Sequence, residues 1–312
     1  MNRLFNLKFC ILILLVLPGV LVAQYERPGS ASGQFLKIGV SPKATALGNS
    51  YIANTRVGAE AVYYNPAALP YIDNMSFTAT HLEYFADVSH DFFAAARNFG
   101  RLGSFGLSLT SFRTDPMKVR TPLQPEGTGE TFALSNYQVG LSYARSLTDH
   151  VTFGGTLKYV RMMLYADFVQ SAYATDISIL YTTGFRGFSF GMKIANFGSS
   201  VSFVNEQYPL PLGFSFGMKM NALEMDSHRA TARFSVLKPN DGQTLLRGGL
   251  EWSFHDLLYA RAGYHFNHDM ATFAFGGGLN LDISQYQVGF DYAYADYQGL
   301  GAVNQFGIDI GF

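Results

Sequence analysis

Two copies of one heptapeptide, Gly187-Phe188-Ser189-Phe190-Gly191-Met192-Lys193 and Gly213-Phe214-Ser215-Phe216-Gly217-Met218-Lys219, contain the G-x-S-x-G spacing of a serine nucleophile. That chemistry needs a strand-to-helix elbow that exposes the hydroxyl, with a histidine and an acid in reach. Neither copy leads into a helical pattern; both alternate apolar with small or polar residues, which a β-strand explains without catalysis. His265 and His268 have an H-x-x-H spacing that could ligate a metal from a helix, but they span a strand end and the turn Phe266-Asn267-His268-Asp269, where a solvated loop is the simpler reading. Gly276-Gly277-Gly278 lacks the Lys-Ser/Thr partner of a phosphate loop and continues as strand, so close approach of another backbone explains it better. No acid/base pair, nucleophile triad or cofactor loop survives, and the chain is expected to be a non-enzyme without cofactor or metal.

Composition says where such strands would lie. Only 14 % of the 312 residues are charged, against 48 % hydrophobic and 15 % aromatic, whereas soluble domains carry about 25 % charged residues. The surface of a chain this poor in charge does not face water alone. Arg3 and Lys8 precede and flank an apolar run at 9–17, and Ala23 is a plausible last residue before cleavage, so residues 1–23 form an expected secretory signal peptide. Cys10, the only cysteine, falls inside it, which removes disulfides, thiolate metal sites and cysteine nucleophiles from the mature chain. The net charge of −1 and the absence of a basic block give nucleic acid no electrostatic footprint. No later run approaches ~18 consecutive apolar residues, which excludes helical membrane spans.

The apolar residues instead recur with period two, as in Tyr137-Val139-Leu141-Tyr143, Leu246-Gly248-Leu250-Trp252-Phe254 and Tyr286-Val288-Phe290-Tyr292-Tyr294. Fourteen such segments are expected, at 74–85, 91–99, 103–113, 133–145, 150–163, 171–183, 187–196, 209–221, 228–238, 243–254, 257–267, 271–280, 284–295 and 303–312. Most approach the ~9–11 residues of a tilted membrane strand. Their joints alternate between short (100–102, 146–149, 184–186, 255–256, 281–283) and longer (114–132, 164–170, 197–208, 296–302), the pattern of periplasmic turns and outer loops. Two joints break the rule, 221–227 by being long and 238–242 by being brief. The fold expected is all-β: a 14-stranded antiparallel transmembrane β-barrel over 73–312, in the bacterial outer membrane, with outer-membrane lipid and the barrel assembly machinery as partners. The strand phases turn Lys158, Lys193, Lys219, Arg233, Arg247, Glu251, Arg261, Asp291 and Asp309 inward, where they would pair with one another or hold a plug.

The carboxy-terminal run Gln305-Phe306-Gly307-Ile308-Asp309-Ile310-Gly311-Phe312 resembles the insertion signal of bacterial outer-membrane barrels, with Gln305, Gly307, Ile310 and Phe312 at its key positions and Ile310 replacing the more usual aromatic. Loss of Phe312 is expected to impair assembly.

Residues 24–72 break the alternation and are richer in Gly, Ala, Asn and Pro, so they form a separate unit. Ser41-Pro42 can cap and start a short helix through Leu47, and Asn65-Pro66 another over Ala67-Ala68-Leu69. Gln34-Phe35-Leu36-Lys37-Ile38-Gly39-Val40-Ser41-Pro42-Lys43-Ala44-Thr45-Ala46-Leu47-Gly48, with Tyr63-Tyr64-Asn65-Pro66-Ala67-Ala68-Leu69, resembles the N-terminal signature of PorV/PorQ-type outer-membrane proteins, within the wider group of FadL-like barrels. The resemblance implies a hatch of residues 24–72 inside the lumen, in which Phe35, Leu36, Gly39, Ala44, Ala46, Gly48, Asn65, Pro66 and Ala67 carry the motif. It also implies a component of the type IX secretion system that binds C-terminal domains of cargo, or translocon and attachment partners, through outer loops such as 114–132 and 197–208. Asn49 departs from a commonly repeated glycine, and Thr55-Arg56-Val57-Gly58 lacks the acidic pair often found there. The alternative is a FadL-like transporter for hydrophobic small molecules; an open aqueous porin fits less well, because the hatch would occlude the lumen.

Overall fold

A computed structural model describes residues 28–164, 168–203, 206–268 and 270–312; the expected signal peptide lies outside them. Fourteen antiparallel strands form one closed barrel. They are β1 (Met75–Tyr84), β2 (Val88–Asn98), β3 (Ser104–Thr114), β4 (Ser135–Ser146), β5 (Val151–Met163), β6 (Val169–Thr182), β7 (Ser189–Gly198), β8 (Gly213–Glu224), β9 (His228–Pro239), β10 (Leu245–Phe254), β11 (Leu258–His265), β12 (Phe273–Ile283), β13 (Tyr286–Asp296) and β14 (Ala302–Gly311). Each pairs with its chain neighbour, and β1 closes on β14 from Ser76↔Gly311 to Glu83↔Asn304. Two ribbons, Met117–Lys118 with Thr131–Phe132 and Val201–Phe203 with Glu206–Tyr208, order parts of the long loops.

Closure is what the alternation demands. A lipid-exposed backbone has no water to bond, so an open edge would leave N–H and C=O groups unsatisfied at several kcal/mol each. Outward positions carry the apolar set, with Leu107, Leu141, Leu157, Ile177, Met192, Leu250 and Ile308 exposed on the exterior. Exterior aromatic contacts lie toward both ends: Phe77, Phe312 and Tyr286 toward one, Tyr159 with Tyr173 and Tyr292 with Phe306 in the half toward the other. An apolar band between two aromatic girdles on a closed barrel is an outer-membrane architecture. Both barrel termini lie at the short-turn end, which is therefore periplasmic.

The one long periplasmic joint is a strand irregularity. The β8–β9 register slips between Asn221 and Leu223, so a bulge extends β8 to Glu224 and leaves a turn of only 225–227. Strand β6 likewise starts at Val169, earlier than its alternation suggests.

The segment before β1 lies inside the barrel as a string of short elements. These are a 3-10 turn Gln34–Lys37, helix α1 (Pro42–Ala46), helix α2 (Ala61–Tyr64) and a 3-10 helix Pro66–Tyr71. Pro42 and Pro66 each begin a helix, where a missing N–H wastes no bond. Asn65 caps the second as the sequence suggests, its Oδ1 accepting from Ala67 N at 3.1 Å. Ser41 does not cap the first with its side chain; its N–H donates to the Tyr64 hydroxyl at 3.0 Å, tying α1 to α2 instead.

Candidate functional site

The hatch is seated where the wall has no side chain. A Cβ on Gly263 would overlap the backbone of Leu47 and Gly48, one on Gly154 that of Pro66 and Ala67, and one on Gly191 would come within 2.5 Å of the Ile52 carbonyl. Gly276 faces Ala46, and Gly278 leaves room for the Arg261 guanidinium, since a Cβ there would stand 2.8 Å from Nη1. Gly48 itself turns in the left-handed region at φ 61°, which lets the chain reverse after α1.

Toward the extracellular end the contact is apolar. Phe35 and Leu36 pack among Val160, Met162, Ala172 and Leu210, and Ile38 bridges to Leu82, Ala295 and Val303. Among the described residues the ionic tie between hatch and wall at that end is Asp241, which accepts from Lys37 Nζ at 3.0 Å and Gln34 Nε2 at 2.6 Å.

Toward the periplasm the lumen is charged. Arg233 bonds Glu251 at 2.8 Å, Arg261 bonds Glu251 at 2.7 Å and Asp291 at 2.5 Å, and the chain continues into the hatch through Lys43. The Lys43 ammonium lies 2.9 Å from Asp309, 3.7 Å from Asp291 and 3.9 Å from Glu60. Burial alone would lower its pKa; Asp309, Glu60 and Asp291 outweigh that and hold it well above the ordinary lysine value. Burial raises the Glu60 carboxyl, Lys43 opposes the rise and Asp309 adds to it. Glu60 accepts from Tyr51 at 3.1 Å and Thr78 at 3.2 Å. Below this network a polar vestibule of about 730 Å³ opens to the periplasm, lined by Asn54, Arg56, Asp282 and Gln287 among others. Arg56 reaches Asp256 at 2.8 Å across its mouth, and Lys219 donates to Thr55 at 2.6 Å.

A second ionic group lies on the opposite wall. Asp176 of β6 takes Lys158 at 2.7 Å and Lys193 at 3.2 Å, and accepts from Asn196 N at 2.8 Å. Lys193 also donates to the Tyr63 carbonyl of the hatch. Asn196, at φ 60°, sits where the β6–β7 register slips. Beside this group, between hatch and wall, is a cavity of about 90 Å³ that Arg247 also lines.

No family model matches the sequence, and a search of curated proteins finds no match either. Solved structures do match in shape. The Ralstonia pickettii toluene transporter TbuX is 14 % identical, with a TM-score of 0.57 over 87 % of this chain and 97 % of its own. The Pseudomonas putida toluene transporter TodX is 10 % identical, with a TM-score of 0.55 over 87 % and 96 %. A Pseudomonas aeruginosa FadL homologue is 9 % identical, with a TM-score of 0.51 over 88 % and 98 %. The fold is that of a FadL-type outer-membrane barrel.

Within this FadL-type barrel the nine charges phased inward, Lys158, Lys193, Lys219, Arg233, Arg247, Glu251, Arg261, Asp291 and Asp309, point into the lumen and divide between the two ionic groups, save Lys219 and Arg247. The hatch motif is internal throughout: Ala44, Ala46 and Ala67 are fully buried, Gly39 is covered by the Asn49 side chain, and Asn65 donates to the Ile52 carbonyl at 2.6 Å beside Pro66. In the carboxy-terminal strand Gln305 accepts from Thr45 at 2.7 Å and Gly307 lies against Pro42, so both serve the hatch, while Ile310 and Phe312 face outward. Ser189 and Ser215 face the lumen from strands; Ser189 donates to the Ala53 carbonyl at 2.7 Å. His265 is buried with its ring 5.6 Å from that of His268, and no group of three potential metal ligands occurs among the described residues.

Asp176, Lys43, Glu60 and Asp241 complete these networks and were not singled out by sequence. The inward phase Ala172-Ala174-Asp176-Ser178-Leu180 carries the signal for the first. The other three lie in segments without a period, where no pattern assigns a direction.

Proposed function

We propose that this barrel passes hydrophobic small molecules across the outer membrane, with the extracellular end of the hatch as its gate. The observation that carries the reading is the apolar patch of β5, β6 and Leu210 at that end, covered by Phe35 and Leu36 of a four-residue 3-10 turn. An apolar solute displacing the two side chains replaces one set of non-directional contacts with another, at little net cost. The shape neighbours described as toluene transporters and as a FadL homologue support the same reading. The direct test is uptake of radiolabelled toluene and of a long-chain fatty acid by cells lacking their own channels for these solutes. The barrel is expected to raise uptake above vector, and Phe35→Ala to raise it further; folded barrel in the outer membrane with no gain for either solute refutes the proposal.

The type IX secretion reading rests on the resemblance at 34–69. Most of those residues are enclosed by the wall, with Gln34, Lys37 and Arg56 exposed at its two ends, so the motif chiefly explains how the hatch is built. A secretion partner would have to use the outer ribbons at 117–132 and 201–208. Recovery of signal-domain cargo with tagged barrel from membranes, lost on deleting either ribbon, would favour it over transport.

A further inference from the structure

We infer that the cavity between the hatch and strands β5 and β7–β10 is a binding site for a compact oxyanion, such as inorganic phosphate or a short carboxylate. Lys37, Lys158, Lys193 and Arg247 all line it, and no carboxylate does. The carboxylates nearby do not balance these cations. Asp241 is engaged by Lys37, and the single Asp176 is shared between Lys158 and Lys193. Arg247 has no ion pair among the described residues, and its Nε is enclosed without an acceptor.

A guanidinium cannot shed its proton to escape burial, unlike a lysine. A partly buried cation without a counter-charge carries part of a desolvation penalty, which an anion paired and hydrogen-bonded to it offsets. Water would satisfy the Nε–H but not the charge. An oxyanion would do both, because the planar fork of Arg247 matches two oxygens of a carboxylate or phosphate, and the Lys193 ammonium can take a third.

Size narrows the occupant. At about 90 Å³ the cavity holds several water-sized groups, less than the ~150 Å³ cavity that accommodates benzene. The apolar solutes of the proposed transport therefore do not fit here, and the site stands whether or not they pass. Its walls join two bodies: Lys37, Asn49, Tyr63 and Tyr64 belong to the hatch, whereas Lys158, Lys193 and Arg247 belong to the barrel. An anion between them pins one to the other.

The test is calorimetric titration of full-length folded barrel, in non-ionic detergent free of phosphate and carboxylate, with sodium phosphate, sodium acetate or sodium chloride at matched ionic strength. Saturable binding of one ion per barrel is expected for phosphate or acetate, and the arm that saturates at lower concentration identifies the source. Arg247→Gln should weaken it at least tenfold, while Arg56→Gln at the periplasmic mouth leaves it unchanged. Should Arg247→Gln fail to give a heat-modifiable barrel, Arg247→Lys keeps the charge, loses the fork and should still weaken binding severalfold. No saturable heat with either oxyanion, equal binding of chloride, or equal loss in Arg56→Gln overturns the site.

Discussion

At the extracellular end the hatch meets the wall through Phe35 and Leu36 against Val160, Met162 and Leu210, whereas at the periplasmic end it meets it through Lys43 and Glu60 against Asp291, Asp309 and Thr78. The two contacts fail differently. Apolar packing loses free energy in proportion to the area uncovered, and any apolar body can restore it. An enclosed ion network depends on every member, because removing one leaves the others charged and desolvated. One hatch therefore has an end that a solute can replace and an end that it cannot, so the proposed gate belongs outside and the anchor inside.

The sharpest way to break this contrast is Lys43→Met. It strips the single hatch cation from beside Glu60, Asp291 and Asp309, and the loss of one partner from a buried ionic group costs about 3–5 kcal/mol. The temperature at which the compact, heat-modifiable form disappears should fall more than for any other variant considered. It should recover partly in acid, where the Glu60 carboxyl, left without its ammonium partner, protonates. An unchanged midpoint would mean that the inner end does not anchor the hatch.

That contrast was only partly legible in the sequence. Strict alternation assigns Lys193, Arg233, Glu251, Arg261 and Asp291 to the lumen because lipid and lumen sit on opposite faces of every strand. The same rule fails at Ala222, where one extra residue shifts the phase and makes a three-residue turn look long. In the hatch no period exists, so Lys43 and Glu60 gain their meaning only from the strands that happen to face them. The glycines lie between these cases. The run Gly276-Gly277-Gly278 signals a close approach, but what approaches is Ala46 at one position and the Arg261–Asp291 ion pair at another.

Leu36→Ala tests the outer end. Truncating a buried leucine costs about 2–5 kcal/mol where the surroundings cannot collapse, and at the hatch tip, free to settle, the lower part of that range is expected. The midpoint should fall less than for Lys43→Met and show no recovery in acid, while entry of an apolar solute rises. If both variants lose the same stability with the same pH profile, the two ends are not held by different forces.

The smallest effect concerns Glu60. Its folded carboxyl pKa is raised, chiefly by burial, above the unfolded value of 4.5. The folded barrel then holds a proton that the unfolded chain releases, so stability from this group is fully present below the unfolded value and is lost as pH rises through the folded one. A midpoint that declines on leaving acid and levels off once the carboxyl has ionised is the expected profile. Glu60→Gln keeps both acceptor and shape while removing the titration. It should cost no more than about 1 kcal/mol at a pH where the native side chain is protonated, and it should abolish the decline. Persistence of the same slope in Glu60→Gln would show that the titrating proton is not on Glu60.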